Sequence, residues 1–442
     1  MKDNTIYNEY QKLVFGNKNE YLKDFERLKK LEVEKKFLYK NKPIPFAYQG
    51  LFISETDEQI FKNIVKTMNS IIRKVTNKFL NDSSYRKLFG FSPEMEDLIL
   101  HDPMYDIPVP IGRYDIFYNN DNDFKFCEIN TDGSSAMRED ASIASLILDS
   151  KSLSDIKDYS FSSYELFESW VTKSLNLYKS IKGDFKNITV AIVDLEEAGT
   201  PDEFLDFQKT YIQKGVDCII VDPRELEYDE THNHLVYKNT KIDMVYRRLA
   251  TSEAFEKYDE LKDFFRAYLK NAFVCIGSFR SQVAHNKIFF EILHRDETLS
   301  ILDKNEKEFI INHIPLTKKF VGGDDVLKHV IENKDKYIMK PTDRNSAKGV
   351  YVGREMSKEE FEKQARSDFN KDYIYQEFVL PKKMEFINEV NGDFVIEKRG
   401  NMIGLFSYLE EFAGVYARMG LEDIIGSIRE YICAPGIKYV KK

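Results

Sequence analysis

The spacing of apolar positions changes along the chain and divides it into regions of different predicted structure. Up to about residue 100, apolar residues recur at helical spacing, most clearly from Ile60 to Phe79. Thr56 followed by Gln59 predicts a capping box at the start of this helix, and Ser92, next to a proline, predicts the start of a shorter one. The apolar stripe is typical of core packing and implies no chemistry.

The period changes to two between residues 112 and 130. Alternating runs at 112–118 and 124–130 predict two strands, and the polar stretch 119–123 between them predicts a turn. A Thr–Asp–Gly–Ser–Ser stretch after the second run predicts a polar loop. The sequence therefore predicts a β-hairpin that ends in a loop.

Four polar residues of this hairpin form two pairs with a spacing of two: Arg113 with Asp115, and Glu128 with Asn130. Residues at this spacing in a strand point to the same face. Carboxylate and amide oxygens suit Mg²⁺, which completes its shell with water and phosphates, and arginine neutralises phosphoryl oxygens. The Glu-x-Asn pair alone is better explained as an exposed acidic residue beside a turn. Both pairs together indicate a surface for metal and phosphate.

Two helices are predicted after the hairpin. Ser134 or Ser135 would cap the first, which runs to about residue 148, and its start would direct N–H groups at an anion. The second covers about 163–181 and ends at Gly183, and Trp170 is expected to pack in the core there.

Residues 187–249 predict a strand–helix–strand unit with parallel strands. A buried strand is followed by a helix with proline at its first position, and a second strand ends at residue 221. The unit lacks the glycine fingerprint of a dinucleotide site, so we do not expect NAD binding. A third strand, at 244–246, runs into Arg247 and Arg248. These arginines could equally face a ligand crevice or lie on the surface.

Residues 276–442 carry a second set of polar signals at the ends of predicted elements. Lys287 begins a short helix, and Lys340 closes an apolar strand at 337–341. A charge at the end of a buried strand needs a partner, and ATP phosphate would serve. The loop 342–349 could fold over phosphates, although taken alone it is better explained as a plain hairpin loop.

The remaining C-terminal pattern predicts further strands. A run at 373–379 predicts one strand, and 384–408 predicts a meander with a tight turn at Asn391 and Gly392. Arg418 follows a short apolar run near the end of the chain.

Composition narrows the classes of function. The 442 residues suffice for two or three domains, and 42% apolar with 31% charged residues is ordinary for a globular protein. The net charge of −9 argues against nucleic-acid binding and is compatible with a cationic substrate, although most acidic surfaces only confer solubility. No apolar run approaches a membrane span, and no signal region is evident at the N-terminus. We therefore expect a cytoplasmic protein that does not engage a membrane.

Cysteines and histidines do not indicate a metal site. His232 and His234 form a pair in a polar stretch, where a solvated loop is the better interpretation. The cysteines are scattered, so buried free thiols are expected: Cys127, Cys218, Cys275 and Cys433.

Taken together, these elements resemble the ATP-grasp ligases. That family clamps ATP between two antiparallel sheets and uses two lysines, a hinge strand for adenine, a phosphate loop and an acidic Glu-x-Asn magnesium site. Here Glu128 and Asn130 come before Lys287, Lys340 and the hinge. This order resembles the circularly permuted branch typified by glutathionylspermidine synthase, over roughly residues 105 to 430.

The resemblance implies a role for each candidate residue. One set would hold Mg²⁺: Asp115, Glu128 and Asn130. A second set would contact the phosphates and the transferring group: Arg113, Arg418, Lys287 and Lys340. A third set would bound the adenine and ribose: Gln376, Glu377 and Val379. The phosphate loop would contribute Ser346 and Gly349, and Ser134 and Ser135 would be hydrogen-bond donors near the reacting carboxyl group.

The implied fold class is α/β (α+β), a circularly permuted ATP-grasp-type clamp of two sheets. Residues 1–104 would form a helical N-terminal region, 105–183 the permuted part with the magnesium site, 184–276 a βαβ pre-ATP-grasp-like domain, and 277–442 the lysines, phosphate loop and hinge. The region before Arg113 is too short for the amidase domain of some bifunctional relatives. We therefore expect bond formation without a companion hydrolase.

The implied activity is ATP- and Mg²⁺-dependent amide formation between a carboxylic acid and an amine, through an acyl-phosphate. A phosphotransferase on the same site and a non-catalytic nucleotide-binding protein are the alternatives. A second carboxylate of a peptide-like acid could be held by Arg247, Arg248 and Arg280. A homodimer is the default expectation.

Overall fold

The structure, a computed structural model, describes residues 5–39, 42–344, 348–425 and 430–442. Ser346 lies outside these ranges. The helices, in chain order, are α1 Thr5–Gly16, α2 Lys18–Glu34, α3 Glu55–Asn81, α4 Ser83–Arg86, α5 Pro93–Leu100, α6 Met137–Leu148, α7 Lys151–Asp155, α8 Leu166–Lys182, α9 Pro201–Gln213, α10 Thr251–Glu256, α11 Lys262–Leu269, α12 Gln282–His285, α13 Ile288–Leu293, α14 Asp296–Leu299, α15 Lys304–His313, α16 Asp324–Glu332 and α17 Lys358–Asp368.

The strands of the described ranges, in chain order, are β1 Leu38–Tyr39, β2 Lys42–Pro43, β3 Leu51–Ile53, β4 Ile111–Asn120, β5 Asp123–Asn130, β6 Tyr159–Ser162, β7 Thr189–Val193, β8 Asp217–Val221, β9 Glu227–Asp229, β10 His234–Tyr237, β11 Thr240–Ile242, β12 Met244–Arg247, β13 Val274–Ile276, β14 Thr317–Lys319, β15 Tyr337–Pro341, β16 Tyr351–Val352, β17 Tyr373–Glu377, β18 Lys383–Val390, β19 Asp393–Tyr408, β20 Glu411–Gly420, β21 Tyr431–Cys433 and β22 Gly436–Lys441.

Three sheets organise the molecule. The large antiparallel sheet has the order β21–β20–β19–β4–β5, with β18 paired to the first half of β19. The small antiparallel sheet has the order β14–β17–β15–β16. The parallel sheet has the order β13–β12–β7–β8. The fold is therefore mixed α/β, with two antiparallel sheets and a βαβ unit, as the sequence predicts.

The predicted hairpin and βαβ unit are confirmed. β4 and β5 pair directly across a short turn. β7 and β8 are parallel, and helix α9 forms the crossover connection between them. β12 then pairs with the other side of β7. The tight turn at Asn391 and Gly392 also joins β18 to β19, with both residues at positive φ.

Helix starts differ from the predictions at two places. α3 begins one residue earlier than Thr56, because Ser54 and Asp57 form the capping box in place of Thr56 and Gln59. α6 begins at Met137 instead of directly after Ser134 or Ser135, and Ala136 precedes it at φ 85° without a side-chain cap. The predicted cap at Ser92 with proline after it is confirmed for α5.

The buried apolar residues form two separate clusters. The larger one includes the inner face of α3 and Trp170, whose ring lies 5.0 Å from that of Tyr246. The smaller one lies between the small sheet and helices α16 and α17, and its members are Phe320, Leu327, Val330, Ile331, Met339, Phe361, Ala365 and Tyr375. The small sheet and its two helices therefore have a core of their own.

The helices give no sign of a membrane span. Across the described ranges, none has both the length and the apolar character that crossing a bilayer requires.

Candidate active site

A cavity of about 220 Å³ lies between the large sheet and the small sheet. Most of the residues that the sequence nominates line it: Arg113, Glu128, Asn130, Ser134, Ser135, Lys287, Lys340, Gln376, Glu377, Val379 and Arg418. Asp115 and Gly349 do not line it. Residues more than 200 positions apart in sequence thus meet around one space.

The hairpin register brings its four polar residues together. Arg113 is opposite Asn130, and Asp115 is opposite Glu128. Arg113 binds Asp115 with two parallel hydrogen bonds, Nε to Oδ1 at 2.7 Å and Nη2 to Oδ2 at 2.8 Å. Its third nitrogen, Nη1, donates to the carbonyl of Ser135 at 2.8 Å. Arg113 is therefore held in one orientation at the cavity wall.

Asp115 lies behind Arg113 and is completely buried. Burial raises the pKa of Asp115, and the charge of Arg113 opposes that rise. Both of its oxygens accept hydrogen bonds from Arg113. Its assignment as a metal ligand stays a prediction, and it would require Asp115 to share an oxygen between Arg113 and the metal.

Glu128 and Asn130 face the cavity directly. Burial alone would raise the pKa of Glu128, but the positive charges of Lys287, Lys340 and Arg113 lower it to about 2. Asn130 donates through Nδ2 to Asp115 at 3.0 Å and to Glu128 at 3.3 Å. A permanently ionised carboxylate and an amide oxygen make a hard donor set that suits Mg²⁺.

The two lysines approach the same carboxylate from the other side. Lys340 donates to Oε1 of Gln376 at 2.9 Å and to the carbonyl of Cys127 at 3.2 Å. Lys287 donates to the carbonyl of Arg344 at 2.8 Å. Burial lowers the pKa of Lys287, and Glu128 offsets part of that change. The ammonium groups form a positive wall opposite the hairpin.

Gln376 holds Lys340 in place with its side chain. Its Oε1 accepts from Lys340, and its Nε2 donates to Oγ1 of Thr317 at 2.8 Å. The sequence implies a nucleotide contact for Gln376 but contains no local signal for this lysine contact, because Lys340 is 36 positions away.

Arg418 is supported by two tyrosines and a buried glutamate that the sequence does not single out. Its Nε lies 2.8 Å from the hydroxyl oxygen of Tyr416. Tyr416 and Tyr431 both donate to the carboxylate of Glu139, at 3.0 and 2.7 Å. The network holds Arg418 beside Arg113, so two guanidinium groups face the cavity.

The opposite end of the cavity is apolar and ends at the hinge after β17. The N–H groups of Glu377 and Phe378 already donate hydrogen bonds within the protein, to the carbonyls of Leu316 at 2.9 Å and Lys336 at 2.8 Å. The surrounding walls are apolar side chains that the sequence pattern does not identify as ligand-binding: Phe117, Phe126, Ile338, Met402 and Ile425. This end suits a flat, largely apolar group such as a nucleobase.

Arg247, Arg248 and Arg280 do not line the cavity. Arg247 is buried against Asp132, and Arg248 donates to Glu203 at 2.8 Å. The hypothesis that the first two bind a substrate carboxylate is therefore not supported, because each is already paired with a carboxylate of the protein.

The start of α6 also meets an anion of the protein. The N–H of Arg138 donates to Oε2 of Glu203 at 3.0 Å. The anion at this helix start is thus a carboxylate of the protein, that of Glu203 on α9, where the sequence predicts a ligand anion.

No group of three or more His, Cys, Asp or Glu side chains suited to a metal ion occurs in the described ranges. The four cysteines are free. The candidate metal site therefore depends on an amide oxygen beside carboxylates.

Two antiparallel sheets that clamp a cavity lined by lysines and a Glu-x-Asn pair define an ATP-grasp-type fold. The structure is similar to that of a glutathione synthetase-like effector from Globodera pallida, solved in its apo form, with a TM-score of 0.64 and 11% sequence identity. The match covers 94% of this chain and 96% of the effector. At this identity the likeness shows the fold alone.

A second match is to D-alanyl-alanine synthetase A from Vibrio cholerae, with 12% identity over 57% of this chain and 88% of that protein. Its TM-score is 0.31, at which the likeness carries no argument. No family model matches the sequence, and a search of curated proteins finds no significant match.

Proposed function

We propose that the protein is an ATP- and Mg²⁺-dependent carboxylate–amine ligase of the circularly permuted, glutathionylspermidine synthase-like kind. The observation that carries the proposal is the meeting of Glu128 and Asn130 with Lys287 and Lys340 across one cavity. The depressed pKa of Glu128 supports it, because the carboxylate keeps its charge among the cations throughout the physiological pH range.

The proposed reaction has two steps. A carboxylate oxygen of the acid attacks the γ-phosphorus of ATP, and ADP leaves, which gives an acyl-phosphate. The amine nitrogen then attacks the acyl carbon, phosphate leaves, and the nitrogen loses a proton. Because phosphoryl transfer depends mainly on position and electrostatics, no serine or cysteine nucleophile is needed.

The hairpin would provide the metal site. Glu128 and Asn130 would hold Mg²⁺, with Asp115 as the third predicted ligand. When bound, Mg²⁺ neutralises phosphate charge. The hard oxygen donors of the hairpin fit this ion.

The cations would bind the phosphates and stabilise the transferring group. Lys287 and Lys340 would contact the α- and β-phosphates, and Arg113 and Arg418 would contact the γ-phosphate. Removal of one such charge-stabilising group costs on the order of 10²–10³ in rate.

The hinge would bind the base. The N–H groups of Glu377 and Phe378 already donate hydrogen bonds within the protein. The backbone carbonyl of Glu377 and the N–H of Val379 are therefore the proposed adenine contacts. Ser134 and Ser135 would lie near the reacting carboxyl group. In the structure the hydroxyl of Ser134 donates to the carbonyl of Asn130.

The regional division is also a proposal: 1–104 helical, 105–183 with the metal site, 184–276 pre-ATP-grasp-like and 277–442 with the lysines and hinge. The order of the site residues along the chain supports circular permutation. We propose a homodimer in the cytoplasm, with a peptide-like acid and an amine as substrates.

Substitution of Glu128 tests the proposal. Glu128→Gln keeps the shape but removes the charge, so ADP release that depends on both acid and amine should fall by about 10² or more, with circular dichroism unchanged. Candidate acids and amines are screened by ADP production and mass detection of the adduct. Asp123→Asn, an exposed change on the same hairpin, is the control. Full turnover by the Glu128 variant would refute the metal assignment.

The alternative of a phosphotransferase is separated by a trapping experiment. Hydroxylamine attacks an acyl-phosphate at carbon and gives a hydroxamate with release of phosphate. A phosphate ester stays intact under the same treatment. Formation of the hydroxamate therefore supports the ligase, whereas a stable phosphorylated product supports the alternative.

A further inference from the structure

A fully buried ion pair joins the loop after the hairpin to the end of β12. The side chain of Asp132 is 0% exposed and that of Arg247 is 1% exposed. Asp132 follows Asn130 by two residues, and Arg247 is the last residue of β12. The pair therefore connects the candidate metal hairpin to the parallel sheet.

The pair is saturated with hydrogen bonds. The carboxylate of Asp132 also accepts from the N–H of Thr251 and from Oγ of Ser281, the latter at 3.2 Å. The guanidinium of Arg247 donates to groups of six residues: Asp132, Gly277, Leu249, Thr251, Ser278 and Ser281. Such a network fixes the relative position of every segment that enters it.

One of those segments leads to Lys287. Residues 277–281, which accept hydrogen bonds from Arg247, run directly into α12 and then into Lys287. Thr131, beside Asp132, adds a second tie by donating to the carbonyl of Ser281 at 2.9 Å. The carboxylate half and the ammonium half of the cavity are thus fastened together at this point.

Neither member of the pair has a free group to offer a substrate. Asp132 lines the cavity, but its side chain is 0% exposed and both of its oxygens accept hydrogen bonds from the protein, and Arg247 does not line the cavity. A buried ion pair also seldom adds stability over apolar residues of equal size, because removing two charges from water is costly. A role in position accounts for the pair better than a role in stability.

We propose that Asp132 and Arg247 are a positioning pair that holds Glu128 and Asn130 at a fixed distance from Lys287. The proposal rests on the proposed function, since it concerns the spacing that a magnesium-bound nucleotide must bridge. The pair acts through those residues and does not touch the nucleotide.

Two variants separate position from stability. Asp132→Asn leaves the Arg247 charge buried without its partner, which should lower both stability and binding. The double variant Asp132→Asn/Arg247→Met removes both charges, so it should lose less stability than Asp132→Asn, because no charge is left buried without a partner. Asp24→Asn is the matched control, because Asp24 is also a buried aspartate with an arginine partner but does not line the cavity.

Calorimetric titrations of the whole chain use MgADP, which spans both halves, and adenosine, which reaches only the hinge end. The single and the double variant should bind MgADP at least about tenfold more weakly than the wild type, because displacement of about 1 Å is costly at such sites. Adenosine affinity should stay within about twofold of wild type. The Asp24 control should bind both probes like the wild type.

The outcomes are distinct. Wild-type MgADP affinity in the double variant would overturn the positioning role and leave a purely stabilising pair. An equal loss in the Asp24 control would overturn it as well. Absence of MgADP binding by the wild type would overturn the proposed function itself, and with it this inference.

Discussion

At the scale of single residues, burial and neighbouring charges shift the pKa values of the cavity's charged groups in opposite directions. Burial would raise the pKa of Glu128, yet three cations lower it to about 2. For Lys287 burial dominates and lowers the pKa, with Glu128 as a partial counterweight. Glu128 is therefore ionised at every physiological pH, whereas Lys287 loses its charge at a lower pH than an ordinary lysine does.

The affinity for MgADP should consequently fall as pH rises through the pKa of Lys287, and this fall should begin below the ordinary lysine value of 10.5. The protonated ammonium is the form that binds phosphate, so the loss follows deprotonation. Lys287→Arg should move the fall to higher pH, since arginine keeps its charge. Titrations from about pH 7 to about pH 10 measure it. Lys62→Arg, at an exposed position of α3, should leave the profile unchanged, and an unshifted profile in Lys287→Arg would contradict the assignment.

At the scale of elements, the large sheet makes room for the Arg113–Asp115 pair by a glycine on the neighbouring strand. Gly404 on β19 lies opposite Asp115 on β4. A Cβ added there would lie 2.7 Å from Cδ of Arg113 and 2.9 Å from Oδ1 of Asp115. The absence of a side chain on β19 thus allows two large side chains of β4 to lie flat over the sheet.

Gly404→Ala should therefore destabilise the fold by about 1–3 kcal/mol and turn Arg113 away from the cavity. Urea denaturation measures the free energy of unfolding, and titration with MgADP measures the loss of affinity. Gly16→Ala is the matched control, because nothing lies within 4 Å of a Cβ added at Gly16. Unchanged affinity in Gly404→Ala would show that Arg113 does not depend on this contact.

At the scale of the whole molecule, the cavity lies between two bodies with separate cores. In the described ranges, the small sheet, α16, α17 and the adjoining Phe320 form a buried cluster of eight apolar residues. A larger cluster joins residues from the other sheets and helices and includes Ile374 of β17. Lys340 belongs to the smaller body and Glu128 to the larger. A nucleotide bound between them would therefore tie the two together.

Hydrogen exchange should show this coupling. In the free protein, amides of β14, β15, β17, α16 and α17 should exchange faster than those of α3, because a small core is less stable than a large one. MgADP should slow exchange in the small body and leave α3 unchanged. Glu128→Gln should abolish this protection. Uniform exchange rates in both bodies would contradict a clamp of two separately stable parts.

Local chemistry decided what could be predicted from the sequence. Alternation and spacing predict the β4–β5 hairpin, the βαβ unit and the convergence of the four hairpin side chains, because these depend on the pattern within each element and on the connection between consecutive elements. Lys340 could be nominated because a lysine that ends an apolar strand needs a partner, whereas Lys287 was nominated by the resemblance to the ATP-grasp ligases. The first residues of α3 and α6 were predicted wrongly, because several residues near Ser54 and Ser134 are equally good helix caps.

The sequence by itself determined which residues carry the charges and the local elements that present them. Only the tertiary structure decided which polar groups meet: that Arg247 pairs with Asp132, and that Gln376 holds Lys340. The physical reason is that these pairings link strands and loops far apart along the chain. Their geometry follows from packing of whole sheets, which no local pattern of residues specifies.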